Sequence, residues 1–113
     1  MKMIKKLYWT EHSKIKMRQY GLSKSKISSV LRRPDRKETG IVEGTIAVMQ
    51  TNKSYSTTVN VSKNKRAPGE IWIMYKDAKD ARNIISAWRY PGTSSPGETI
   101  PIPDDIRREL LET

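Results

Sequence analysis

The sequence contains no cysteine, so disulfides and thiolate metal sites are excluded, and a cytoplasmic setting suits the chain. Its single histidine, His12, cannot by itself build a zinc site. No apolar run approaches the ~18 residues that span a bilayer, so no membrane partner is expected. The opening "MKMIKKLYWTEH" has lysines but neither an apolar h-region nor a small-residue cleavage site, so it does not read as a signal peptide. There is no glycine loop of the P-loop or dinucleotide kind. The carboxylates are scattered or sit in helix caps and turns, without the convergence that a metal-dependent nuclease needs. A serine triad would need an aspartate and a nucleophilic serine around His12, and no motif supplies one. Metals and organic cofactors are therefore not expected. Any chemistry is metal-free.

What is present starts with charge. The chain has 113 residues, 35% hydrophobic and 30% charged, which suits one domain with a thin core, spanning 1–113. The net charge is +10. Residues 1–37 hold eight lysines and four arginines against only Glu11 and Asp35, while residues 38–113 balance ten basic with ten acidic residues. All of the excess sits in the first third. A field so lopsided favours a polyanion, with nucleic acid or the ribosome foremost. A solvated lysine-rich helix face that keeps a small domain soluble is the plainer alternative.

Periodicity orders the rest. "MIKKLYW" suits a short strand, with Ile4 and Leu7 as its apolar residues. Thr10 is a good N-cap and Glu11 falls in the first turn of a helix running to about Tyr20. Gly21 stands where a left-handed C-terminal residue belongs. Ser23 caps a second helix with Ile27, Val30 and Leu31 on one stripe, and Pro34 marks its end. The period then changes to two. "TIAVMQ", "YSTTVNV", "EIWIMYK" and "NIISAWRY" read as strands joined by short loops. The expected class is α+β: a short N-terminal strand, then a two-helix hairpin packed on a mostly antiparallel sheet of four to five strands. A short C-terminal helix completes it. Residues 91–113 form a Pro/Gly-rich extension ending in that helix, with Asp104 and Asp105 at its start and Ile106, Leu110 and Leu111 as its apolar stripe. Covering a sheet edge is its expected task, and docking a partner protein is the alternative.

RNA cleavage suits a metal-free protein, because the 2′-hydroxyl is its own nucleophile. The protein then needs a proton acceptor or donor and cations around the phosphorane-like transition state. His12 is the acid/base candidate, and Lys16 shares its helix face at i+4. A structural histidine bonding a backbone carbonyl near the helix start is the competing assignment. Strict alternation in "IISAWRYPG" puts Ile85, Ala87 and Arg89 on one face and Ile84, Ser86, Trp88 and Tyr90 on the other. Arg89 can then serve a phosphate and Tyr90 can orient a base. Trp88 either stacks on a base or fills the core, while Trp72 and Met74 read as core. Lys14, Arg18, Lys24 and Lys26 on the helices, with Arg32, Arg33, Arg36 and Lys37 beyond them, are candidate phosphate contacts. The last four can equally complement the second helix's C-terminus. Lys65 and Arg66, in the basic tip "SKNKRAPG", are further candidates.

"HSKIKMRQYGLSKSKISSVLRRP" resembles the start of a domain-of-unknown-function family with the pattern His-x-x-x-Arg-Met-x-x-Arg-Gly-Ile-Ser and a short helix ending near a proline. His12, Met17, Gly21, Ser23 and Pro34 match it. Lys16 replaces an arginine, Leu22 replaces isoleucine, and Tyr20 stands where the second arginine would be. The order of elements is similar to the RelE/ParE toxin superfamily and its BrnT-like relatives. That resemblance implies a RelE-like fold and a toxin–antitoxin component that acts on RNA at the ribosome as a metal-independent endoribonuclease. It implies a small acidic antitoxin as partner, and roles for His12, Lys16 and Arg89. ParE-like members act instead on gyrase.

Two other functions fit the residues. "YGLSKSKISSVLRRP" also reads as a DNA-binding helix-turn-helix, with Lys24, Ser25, Ser28 and Ser29 as its polar face. A non-catalytic module whose basic third docks on an acidic protein is the third.

Overall fold

The computed structural model describes residues 6–52, 69–92 and 94–111. In chain order these form β1 (Lys6–Trp9), α1 (Glu11–Tyr20), α2 (Lys24–Arg32), β2 (Arg36–Thr39), β3 (Ile46–Asn52), β4 (Gly69–Asp77), β5 (Ala81–Tyr90) and α3 (Asp104–Leu111). The sheet order is β1-β5-β4-β3-β2. β1 pairs parallel with β5, and the other pairs are antiparallel. The protein is thus α+β, with the expected N-terminal strand, helix hairpin and C-terminal helix.

The hairpin forms for the reasons its caps suggest. Thr10 Oγ1 accepts from the Ser13 amide at 3.1 Å and donates to the Ile84 carbonyl at 2.8 Å, so the same residue starts α1 and ties it to β5. Gly21 ends α1 at φ 65°, and Ser23 Oγ accepts from the Lys26 amide at 3.0 Å to start α2.

Two cores lie on opposite faces of the sheet. On the first, Met17, Leu22, Ile27 and Val30 of the hairpin pack on Val48, Ile71, Ile73, Tyr75, Ile84 and Ala87. On the second, Ala47, Met49, Trp72, Met74 and Trp88 are covered by Ile100, Ile102 and Ile106. Trp72 and Trp88 are cross-strand partners with centroids 6.2 Å apart, and Trp88 Nε1 donates to the Pro101 carbonyl at 2.8 Å. Trp88 is core, as are Trp72 and Met74.

Strict alternation fails in β5. A register shift opposite Met74 and Tyr75 pairs Tyr75 with Ile84 but Met74 with Ser86. The extra residue, Ile85, moves Ile84 onto the face of Ala87 and leaves Ser86 and Trp88 on the other. The bulge overturns the expected pairing of Ile84 with Ser86's face.

Three further differences follow from packing. β2, "RKET", lacks apolar alternation and becomes a strand because β3 offers it a free edge. α3 covers the second sheet face rather than a sheet edge, with Ile106 buried in the core that holds the paired tryptophans. Leu111 is accordingly left outside, 56% exposed. The strand expected in "YSTTVNV" and the basic tip holding Lys65 and Arg66 lie outside the described residues.

Candidate active site and basic surface

α1 continues directly from β1 and lies along β5, so its residues reach both sheet faces. Met17 enters the first core, whereas His12 turns to the second face. There His12 Nε2 and Ser86 Oγ share a 3.1 Å hydrogen bond. The other ring nitrogen, Nδ1, stands 3.6 Å from a Glu109 carboxylate oxygen on α3. Among the described residues His12 thus bonds a side chain, Ser86, rather than the backbone carbonyl expected of a helix-start histidine.

Lys16, one turn further along α1, is almost fully enclosed, its side chain 5% exposed. Its ammonium donates to Asp105 at 2.8 Å and to Gln19 at 3.0 Å, and lies 3.1 Å from Glu109. Asp105 and Glu109 are four residues apart on α3, hence on one side of it. Asp105 meets the far end of α1 and Glu109 the near end, so the two helices run antiparallel.

Electrostatics follow this enclosure. Burial pulls the His12 pKa below its usual 6.5; Glu109 opposes that pull and Lys16 adds to it. For Lys16, burial works against the charge, but the hydrogen bonds and attraction of Asp105 and Glu109 outweigh it and raise the pKa above 10.5. Lys16 in turn lowers Asp105 below 3.8, against the opposing effect of burial. At neutral pH the cluster holds a neutral imidazole beside a charged lysine. The Lys16 charge is already answered by two carboxylates, so the group in the cluster open to proton transfer is the His12 imidazole, 28% exposed.

The four expected catalytic residues do not all converge. His12 and Lys16 do, around Glu109. Arg89 lies on the opposite face, donating to the Tyr20 carbonyl at 2.7 Å and the Gly21 carbonyl at 3.3 Å. It satisfies the last carbonyls of α1, a task the left-handed turn creates. Tyr90 packs against the second core. Asp105, expected only as a helix-start acid, Ser86, expected only as a strand-face residue, and Glu109 were not expected at the site. The Asp-x-x-x-Glu spacing on α3 is a signal that could have marked a one-sided acidic pair, but only the fold reveals Lys16 as its counterpart.

The expected phosphate contacts divide in a similar way. Arg36 is buried: it donates to Glu38 at 2.7 Å, to Ser94 Oγ at 2.6 Å and to the Glu98 carbonyl at 3.0 Å, with its guanidinium over Trp72. It therefore holds the tail against the sheet. Lys26 donates to Gln50 at 3.2 Å, Lys24 lies over the Trp9 ring, and Lys14 stands 3.5 Å from Glu11. Arg18, Arg32, Arg33 and Lys37 are exposed and form no ion pair among the described residues. Those same residues contain no group of acidic or histidine side chains arranged to hold a metal.

Comparison of the chain with family models, with curated proteins and with solved structures yields no match.

Proposed function

We propose that the protein is a RelE-like, toxin-type RNA-binding protein that engages RNA or the ribosome through the hairpin's cations and cleaves RNA without a metal. His12 is the acid/base, Lys16 lies beside it, and Lys14, Arg18, Lys24, Arg32, Arg33 and Lys37 hold the phosphate backbone. The observation that carries this is the set of exposed cations on and just beyond the hairpin, Lys14, Arg18, Lys24, Arg32, Arg33 and Lys37, on the element that also carries the partly exposed His12. A small acidic antitoxin would compete for the same cations.

Duplex-DNA reading is less well supported. A recognition helix must project a face into the major groove. α2 instead lies on the sheet through buried Ile27 and Val30, with Lys24 and Lys26 turned to Trp9 and Gln50.

The test is induction of wild-type protein and of His12→Ala in cells, with RNA ends mapped in both. New ends from the wild type and none from the variant are expected. Equal growth and no new ends from the wild type would remove the nuclease. A gel shift of duplex DNA against single-stranded RNA over a salt series separates the two nucleic acids.

A further inference from the structure

Among the described residues, the second sheet face is covered only in part. Its residues form cross-strand rows, because paired residues point the same way. One row is Arg36–Met49–Trp72–Trp88, and the next is Glu38–Ala47–Met74–Ser86, with His12 on Ser86 at its end. The tail and α3 cover these two rows. The third row is Lys76–Asn83–Tyr8, formed where β4 pairs with β5 and β5 with β1. Here Lys76 is exposed, Asn83 half-buried and Tyr8 60% exposed. Their neighbours Tyr75, Ile84, Leu7 and Trp9 pack toward the first core, which turns this row to the second face.

We propose that the Tyr8–Asn83–Lys76 row is a binding shelf for one nucleotide of single-stranded RNA. Tyr8 stacks on the base, Asn83 hydrogen-bonds the base edge, and Lys76 pairs with phosphate. Three neighbouring strands span about 10 Å, the breadth of a nucleotide. A protein side chain would find little apolar area here, whereas an exposed ring, an amide and an ammonium in line match the three parts of a nucleotide. Lys6, exposed two residues before Tyr8 on β1, adds a second cation. The shelf lies one row from Ser86, a step of about 7 Å along the strand before the bulge is counted. A nucleotide seated on it thus has its base end, on Tyr8, nearer His12 and its phosphate, on Lys76, two strands further off.

The shelf rests on the RNA-binding function proposed above, and its test separates the two. Fluorescence anisotropy of a labelled single-stranded oligoribonucleotide is measured with the wild type, Tyr8→Ala, Tyr8→Phe and the double variant Arg32→Ala, Arg33→Ala. Tyr8→Ala is expected to bind about tenfold more weakly with an unchanged salt slope, because stacking is lost and charge is kept. Tyr8→Phe retains the ring and should bind like the wild type. The arginine variant should instead lower the salt slope. Wild-type binding with Tyr8→Ala equally tight would overturn the shelf and leave RNA binding standing. No binding by any protein, wild type included, would overturn both. Tyr8 is an exposed edge-strand residue, and unchanged circular dichroism of the variants checks that the fold is intact.

Discussion

Lys16 and Asp105, 89 residues apart in the chain, meet through a 2.8 Å ammonium–carboxylate contact that joins α1 to α3. The lysine is enclosed while the aspartate keeps one side in water, 39% exposed. Fully buried pairs cost about 3–5 kcal/mol to break, and water screens this one below that. In a cycle of Lys16→Met, Asp105→Asn and the double variant, followed by urea unfolding, we expect a coupling energy of about 1 kcal/mol. Additive losses would mean that Glu109 alone carries the contact.

Acid should weaken the fold in two stages. A His12 pKa lowered by burial means that the unfolded chain binds the extra proton more readily. That share of stability is present above pH 6.5 and is lost as pH falls through the folded value. Asp105, lowered by Lys16, adds a second loss below pH 3.8. Lys16 is raised, so its share is present below pH 10.5 and is lost as pH rises through the folded value. Urea midpoints against pH for the wild type and His12→Gln check the first stage: the variant's curve should be flatter just below pH 6.5.

Arg89 offers a clean division between structure and chemistry. If it serves only the carbonyls of Tyr20 and Gly21, Arg89→Ala should lower stability by about 1 kcal/mol and leave RNA-end formation intact when folded protein is matched. Loss of cleavage with unchanged Tm would place its guanidinium on substrate.

The tail is part of the core rather than an appendage. Ile106 is fully buried above Trp72 and Trp88, so Ile106→Ala should cost about 2–4 kcal/mol in urea unfolding. A loss under about 1 kcal/mol would mean that α3 contributes little to the second core.

Local chemistry determined much of this molecule from sequence alone. Thr10, Gly21 and Ser23 set the hairpin's limits, since a cap is satisfied within three or four residues of itself. Period-two apolar runs marked β3, β4 and β5 because a strand's faces alternate wherever it pairs. The concentration of positive charge in the first third is equally plain. Tertiary structure decided what depends on partners distant in the chain. The bulge at Ile85 changed which residues share Ser86's face, a register choice made between strands. Arg36 became a buried anchor because Glu38, Ser94 and Glu98 meet it there. Arg89 went to the end of α1, where two carbonyls lacked donors. His12 and Lys16 share a helix face by spacing, which any reader can count. Their enclosure by Glu109 and Asp105 arises only when α3 packs back across the sheet, because a contact between two helices depends on the fold that brings them together.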